Sequence, residues 1–187
     1  MLDIILLVLT FPGVIIHEMS HEFFCRRSGL AVRKVRYFRI GNPAGYVVTD
    51  APKKYEQALS ITVGPFLINT IFSIAIFFFA FLVIIPVGSF SGLWPIIFLW
   101  LAFSIGIHSF PSPEDADVLW NFSKRSWKTA LWIPLAFPIV VLIKTANILR
   151  YIGFDFIYAI LLALASYFLA DAFLADRLAT FITGIIR

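Results

Sequence analysis

The chain has 187 residues, 60% of them hydrophobic and only 14% charged, with 21 phenylalanines and a mean hydropathy of +0.92. Water-soluble domains carry about a quarter charged residues, so this composition excludes a soluble globular protein and implies an integral membrane protein whose bulk faces lipid. The net charge of +4 says less than the positions of the charges, and the lone Cys25 excludes an internal disulfide.

A helix needs about 20 mostly apolar residues to span hydrocarbon. Five windows qualify: Leu2 to about Cys25, about Gln57 to Ile85, Leu93 to Phe110, Ala130 to Leu149, and Phe156 to about Leu174. The first reads as a span and not as a signal peptide. It opens on "MLDIILLVLT", with an acid where a basic segment would stand, and no small-residue cleavage site follows. The expected fold is an all-α polytopic membrane protein of about five transmembrane helices.

The first span contains "VIIHEMSHEFF". His17, Glu18 and His21 form H-E-x-x-H, in which the i, i+4 spacing puts both imidazoles on one helix face, within reach of one zinc ion. Glu18 lies to the side, placed to take a proton from a water whose pKa zinc lowers to about 7. Ionisable groups inside an apolar span are rare and mostly functional. Glu22, one residue beyond the motif, reads first as an interface charge and second as a partner of a ligand histidine.

Between the first two spans, "VRKVRYFRI" alternates loosely apolar and basic, and "GNPAG" supplies turn residues before "YVV". A β-hairpin over residues 31–50 is expected, with an irregular basic loop as the alternative. In the second span, Gly64-Pro65 is expected to kink the helix toward the first. Asn69 either joins helices by hydrogen bonds or serves the site.

A catalytic zinc needs a third protein ligand and an open position. After the third span, "HSFPSPEDADVLW" offers His108, Glu114, Asp115 and Asp117. His17 lies about 13 Å inside the end of its span at 1.5 Å per residue. The third ligand must therefore dip into the membrane. Pro111 and Pro113 forbid regular helix there, so residues 108–118 are expected to be re-entrant.

With five spans, the C-terminal ends of the first, third and fifth share one side. That side collects Arg26, Arg27, Arg33, Lys34, Arg36, Arg39, Lys53 and Lys54 in one loop, Lys124, Arg125 and Lys128 in another, and Arg177 and Arg187 in the tail. Only Lys144 and Arg150 are left near the other face. The positive-inside rule makes the basic side cytoplasmic, with the N-terminus outside and the histidines opening inward. The same basic surface suits anionic lipid. Lys144 is expected to snorkel, without chemistry.

The HEMSH motif, the "GPFLIN" stretch and a proline-bounded aspartate after the third span together resemble the site-2 protease family of intramembrane zinc metalloproteases. The resemblance covers roughly residues 5 to 120. It implies His17, His21 and Asp115 as ligands of one Zn²⁺ ion, Glu18 as general base, and Asn69 as a catalytic-site residue. The chain departs from the family where Asp-Gly is usual, reading Asp115-Ala116-Asp117, so Asp117 remains an alternative ligand. It also lacks the family's asparagine before the aspartate. His108 is expected to donate to the tetrahedral intermediate in its place, with a helix-packing role or a transient ligand role together equally open. The implied division is a catalytic membrane core over 1–128 and two added helices over 129–187.

The expected function is hydrolysis of peptide bonds in transmembrane protein or peptide substrates. The lipid bilayer is the other partner, and no nucleic acid is expected. A non-catalytic zinc protein, structural or sensory, is the alternative, followed by a metal transporter.

Overall fold

The computed structural model describes residues 2–88, 92–126 and 132–186; Lys128, Ala130 and Arg187, which entered the charge and span expectations, lie outside them. Among the described residues are α1 (Leu2–Leu9), α2 (Phe11–Arg27), β1 (Val32–Arg36), β2 (Tyr46–Thr49), α3 (Tyr55–Val87), α4 (Leu93–Ile107), α5 (Pro113–Ser126), α6 (Trp132–Leu149), a 3₁₀ turn (Arg150–Ile152) and α7 (Phe154–Ile186). The protein is mostly helical, and two of these helices, α3 and α7, are long and apolar enough to cross a membrane. Large apolar side chains such as Ile71, Phe79, Trp94, Leu161 and Phe168 stand exposed along α3, α4 and α7. A band of that kind is stable against lipid and costly against water.

Helix α3, with 33 residues, is the axis against which the other elements register. Helix α2 runs antiparallel to it: Phe24 meets Gly64 near one end, and Asn69 donates to the Gly13 carbonyl further along. Helices α4 and α5 also run antiparallel to α3 and follow it end to end. Ser73 donates to the Ala102 carbonyl, Asn69 to that of His108, Thr62 to that of Asp115, and Ser123 to the Tyr55 hydroxyl. Helix α6 folds back on α5, with Phe137 stacked on Trp120 and Lys144 paired with Asp117. Helix α7 then carries on along α3 in the parallel sense, through Tyr158 on Thr70, Ser166 on the Ile74 carbonyl, and Phe173 against Phe78.

Four columns result, three of them interrupted: α1–α2, α3, α4–α5 and α6–α7. The expected re-entrant segment over 108–118 is instead a break in a column that runs through. The fourth and fifth apolar windows are two halves of one column. The breaks have local causes. Pro111 and Pro113 deny hydrogen-bond donors to a continued helix, and Pro113 restarts one at its first position, where no donor is missed. Gly153 adopts a left-handed φ of 80° after the 3₁₀ turn, a conformation that costs glycine little. The α1–α2 break at Thr10 is closed by Ser104, which donates to the Thr10 carbonyl and accepts from the Gly13 amide at 2.9 Å each.

The hairpin expected over 31–50 is present. β1 and β2 pair antiparallel, with Val35 opposite Val47, Arg36 opposite Tyr46, and a bulge between Val32 and Lys34. It lies against the C-terminal part of α2. Tyr37 hydrogen-bonds to Glu22, which also takes Arg26 at 2.6 Å.

Candidate metal centre

The centre is built on the buried face of α2. His17 and His21, four residues apart, are each 8% exposed, and their ring centroids lie 4.8 Å apart. Helix α2 can approach its neighbours closely because the face is lined with small residues. A Cβ on Gly13 would fall 2.0 Å from the Ser104 carbonyl oxygen, and one on Gly64 2.1 Å from the Phe24 ring.

Asp115 arrives on the first turn of α5. Ser112 caps that helix: its Oγ accepts from the Asp115 amide at 3.1 Å and donates to Asp115 Oδ2 at 2.6 Å. The cap fixes the carboxylate, whose Oδ2 lies 3.3 Å from His21 Nε2. One ligand atom from each of His17, His21 and Asp115 lies within 4.8 Å of the others. A tetrahedral ion with bonds of about 2.0–2.1 Å holds its ligand atoms roughly 3.3 Å apart. The triad therefore closes on a small cation after side-chain shifts of an ångström or so.

The tautomer of His17 follows from its hydrogen bond. Nδ1 lies 2.8 Å from the His108 carbonyl oxygen, which can only accept, so Nδ1 carries the proton and Nε2 keeps its lone pair. That same carbonyl accepts from Asn69 Nδ2 at 3.0 Å, and Nδ2 further faces the carbonyls of Gly13 and Ile105. Asn69 is thus a fully buried clamp between α2, α3 and α4 that steadies the carbonyl orienting His17. It does not line the cavity described below, and of its two expected roles the structure displays the joining one.

The side chain of His108 departs from the oxyanion role. Thr10 donates its hydroxyl proton to the Leu6 carbonyl at 2.7 Å, so it can only accept from His108 Nε2 at 2.9 Å. The ring's N–H is taken up there, and neutral Nδ1 has no proton to give. His108 contributes its main chain to the site and its ring to the α1–α2 break. Asp117, the alternative ligand, is engaged by Lys144 and stands outside the triad. Lys144 therefore has a carboxylate partner instead of reaching alone for the interface.

Glu18 borders a cavity of 720 Å³ together with the triad, Glu114 and Arg150. The hairpin turn Asn42–Gly45, with Tyr46, Val47 and Thr49 of β2, forms the facing wall. Gly45 presses on the glutamate, since a Cβ there would sit 2.5 Å from Glu18 Cγ. Glu22 is held by Arg26 and Tyr37, and its hydrogen bond raises the Tyr37 phenol above its ordinary value.

Ser112, Gly45 and Arg150 did not figure among the expected site residues. Ser112 had a signal, the Ser-x-x-Asp spacing of a helix cap. Gly45 had a weaker one in "GNPAG". Arg150 had none, because an arginine ending an apolar run reads as the far end of a span. In comparisons with known proteins, no family model, no curated protein and no solved structure matches the chain.

Proposed function

We propose that this protein is an intramembrane zinc endopeptidase, similar in its chemistry to the site-2 proteases. One observation carries the reading. Two histidines from α2 and an aspartate from α5, far apart in sequence, converge beside Glu18 on a cavity large enough for a stretch of peptide. Two imidazoles and a carboxylate are a donor set that suits zinc. His17 already has its metal-facing nitrogen unprotonated, through the His108 carbonyl. Three protein ligands leave a position open, and among the described residues there is no fourth donor in the group and no second such group. The first point favours an enzyme over a structural zinc site, and the second favours it over a transporter.

Bound there, a zinc ion would supply Lewis acidity toward a carbonyl and toward water. The chain's own residues do the rest. Glu18 accepts the proton of the attacking water and returns it to the leaving amine. β2 has a strand partner on one edge only, and its residues wall the cavity. An extended substrate segment pairs along the other edge, which presents the scissile carbonyl beside Glu18.

The four columns read as four membrane passes, not five, with both chain ends on the side opposite the hairpin. The basic residues 26–54 then support a cytoplasmic position for the hairpin and the mouth of the cavity. Arg177, counted on that side under five passes, goes to the far side with the end of α7.

Replacing Glu18 by Gln decides the matter most directly. The zinc-loaded variant should retain one metal ion per chain and lose cleavage of transmembrane peptides by at least about a thousandfold, within the range that general-base catalysis supplies. Cleavage at the parental rate would remove the mechanism.

A further inference from the structure

Arg150 belongs to the 3₁₀ turn that interrupts α6–α7, and the triad's cavity has it in its wall. Its side chain is 31% exposed. The α6–α7 break faces the α4–α5 break, because Arg150 Nη2 approaches the Phe110 carbonyl at 3.5 Å. A guanidinium held among apolar helices is costly unless paired, and it is rarely kept without a use. Its partner is Asp155, which opens α7 with a side chain 16% exposed.

The pairing is incomplete in an informative way. A carboxylate and a guanidinium normally meet fork to fork, through two parallel hydrogen bonds. Here a single bond is made, Nε to Asp155 Oδ2 at 2.6 Å. Asp155 Oδ1 is buried with no hydrogen-bond partner among the described residues. One carboxylate oxygen steers the arginine, and the terminal nitrogens keep donors not engaged by that bond. The other charged groups bordering the cavity are Glu18, Glu114 and Asp115, all acids. Among the described residues, Arg150 is the one fixed cation of the chain's own on that wall.

We propose that Arg150 is a specificity residue that receives a substrate carboxylate, carried either by an acidic side chain near the scissile bond or by a free C-terminus. This rests on the reading of the cavity as a peptide-hydrolysing site. Asp155 is the positioning residue for Arg150. In a cavity walled by apolar helices, a charge-assisted pair discriminates strongly between a carboxylate and its amide, because the amide leaves the guanidinium without an anion.

The test uses the full-length, zinc-loaded protein in detergent and four versions of one apolar peptide. These have Glu or Gln at the middle, each with a free or an amidated C-terminus. Parent protein should favour the carboxylate in one of the two pairings by about tenfold in kcat/KM. Which pairing responds identifies the source of the carboxylate. Arg150→Gln should collapse that ratio toward one, and Arg150→Lys should keep only part of it, having lost the planar fork.

The same four peptides are titrated onto the Glu18→Gln protein, where binding ratios are read without turnover. Peptides that bind with the carboxylate preference but are never cut would sink the protease reading and leave this one standing. Equal treatment of acid and amide by the parent, a preference that survives Arg150→Gln, the same proportional loss on all four peptides, or no binding at all would each overturn it.

Discussion

The two walls of the cavity are built on different terms. The helical wall, from α2, α3 and α4, is closed by glycines with no room for a methyl group and by hydrogen bonds between buried groups: Ser104 to Thr10 and Gly13, and Asn69 to three carbonyls. The hairpin wall meets the helices through the exposed Tyr37 to Glu22 hydrogen bond, the Phe11–Phe38 ring contact and Val32 packed beside Cys25. Interiors packed at crystal density transmit any displacement, whereas an exposed hydrogen bond competes with water and constrains little. The half that carries the histidine–aspartate triad is therefore the more tightly fixed, and the hairpin half the more adjustable. The proposed peptide-hydrolysing role would use that division to admit segments of varied sequence.

Four changes test the contrast. The largest effect is expected from His21→Ala or Asp115→Ala. Either should bring zinc content, measured by metal analysis of the purified protein, from one ion per chain to near zero, while Asp117→Ala leaves it at one. Loss of metal from Asp117→Ala with retention in Asp115→Ala would reverse the ligand assignment.

Next comes the tight crossing. Gly13→Ala sets a methyl group against the backbone of Ser104, which cannot swing away as a side chain can. Overpacking of this kind costs about 1–3 kcal/mol or more, read as a lowered midpoint of thermal unfolding in detergent. An unchanged midpoint would show the helical wall to be looser than described.

Gly45→Ala touches the hairpin side of the same cavity and acts chiefly through Glu18, whose Cγ a methyl group would approach to 2.5 Å, against 3.0 and 3.1 Å for the Tyr37 and Arg36 carbonyl oxygens. A base displaced by about an ångström slows proton transfer roughly a hundredfold. Peptide cleavage should fall by about that factor with zinc content and unfolding midpoint unchanged. A parallel fall in stability would mean that the two walls are not separable.

The smallest effect belongs to Tyr37→Phe. Backbone amide exchange over residues 31–50 should quicken, with that of α2, α3 and α4 unaltered. The parent should show the same loosening in alkali. The Glu22 hydrogen bond raises the Tyr37 phenol above its ordinary value of 10.0, so the contact is fully present below that pH. It is lost as pH rises through the elevated value.

Much of this organisation was legible beforehand. The i, i+4 histidines had to share a helix face, because 3.6 residues per turn allows nothing else. The hairpin followed from loose alternation flanking "GNPAG", and the helix boundary just before Asp115 from the prolines that stop one helix and start another. The number of columns was not legible. Hydropathy measures apolar length and cannot distinguish two spans from one span broken at Gly153, since both halves are equally greasy. The surroundings of the His108 ring were not legible for a related reason. Residue type names a donor, but only the neighbouring Thr10 hydroxyl reveals where the ring's proton goes.

The sequence by itself determined the membrane-protein composition, the histidine pair with its glutamate, and the local punctuation of helix, turn and cap. Each depends on residues within a few positions of one another, over distances that backbone geometry fixes. The tertiary structure alone decided which aspartate joins the histidines, which carbonyl sets the His17 tautomer, and that Arg150 enters the cavity wall. These are pairings across 40 to 94 residues. They rest on how four columns register against α3, and short-range rules carry no information about that register.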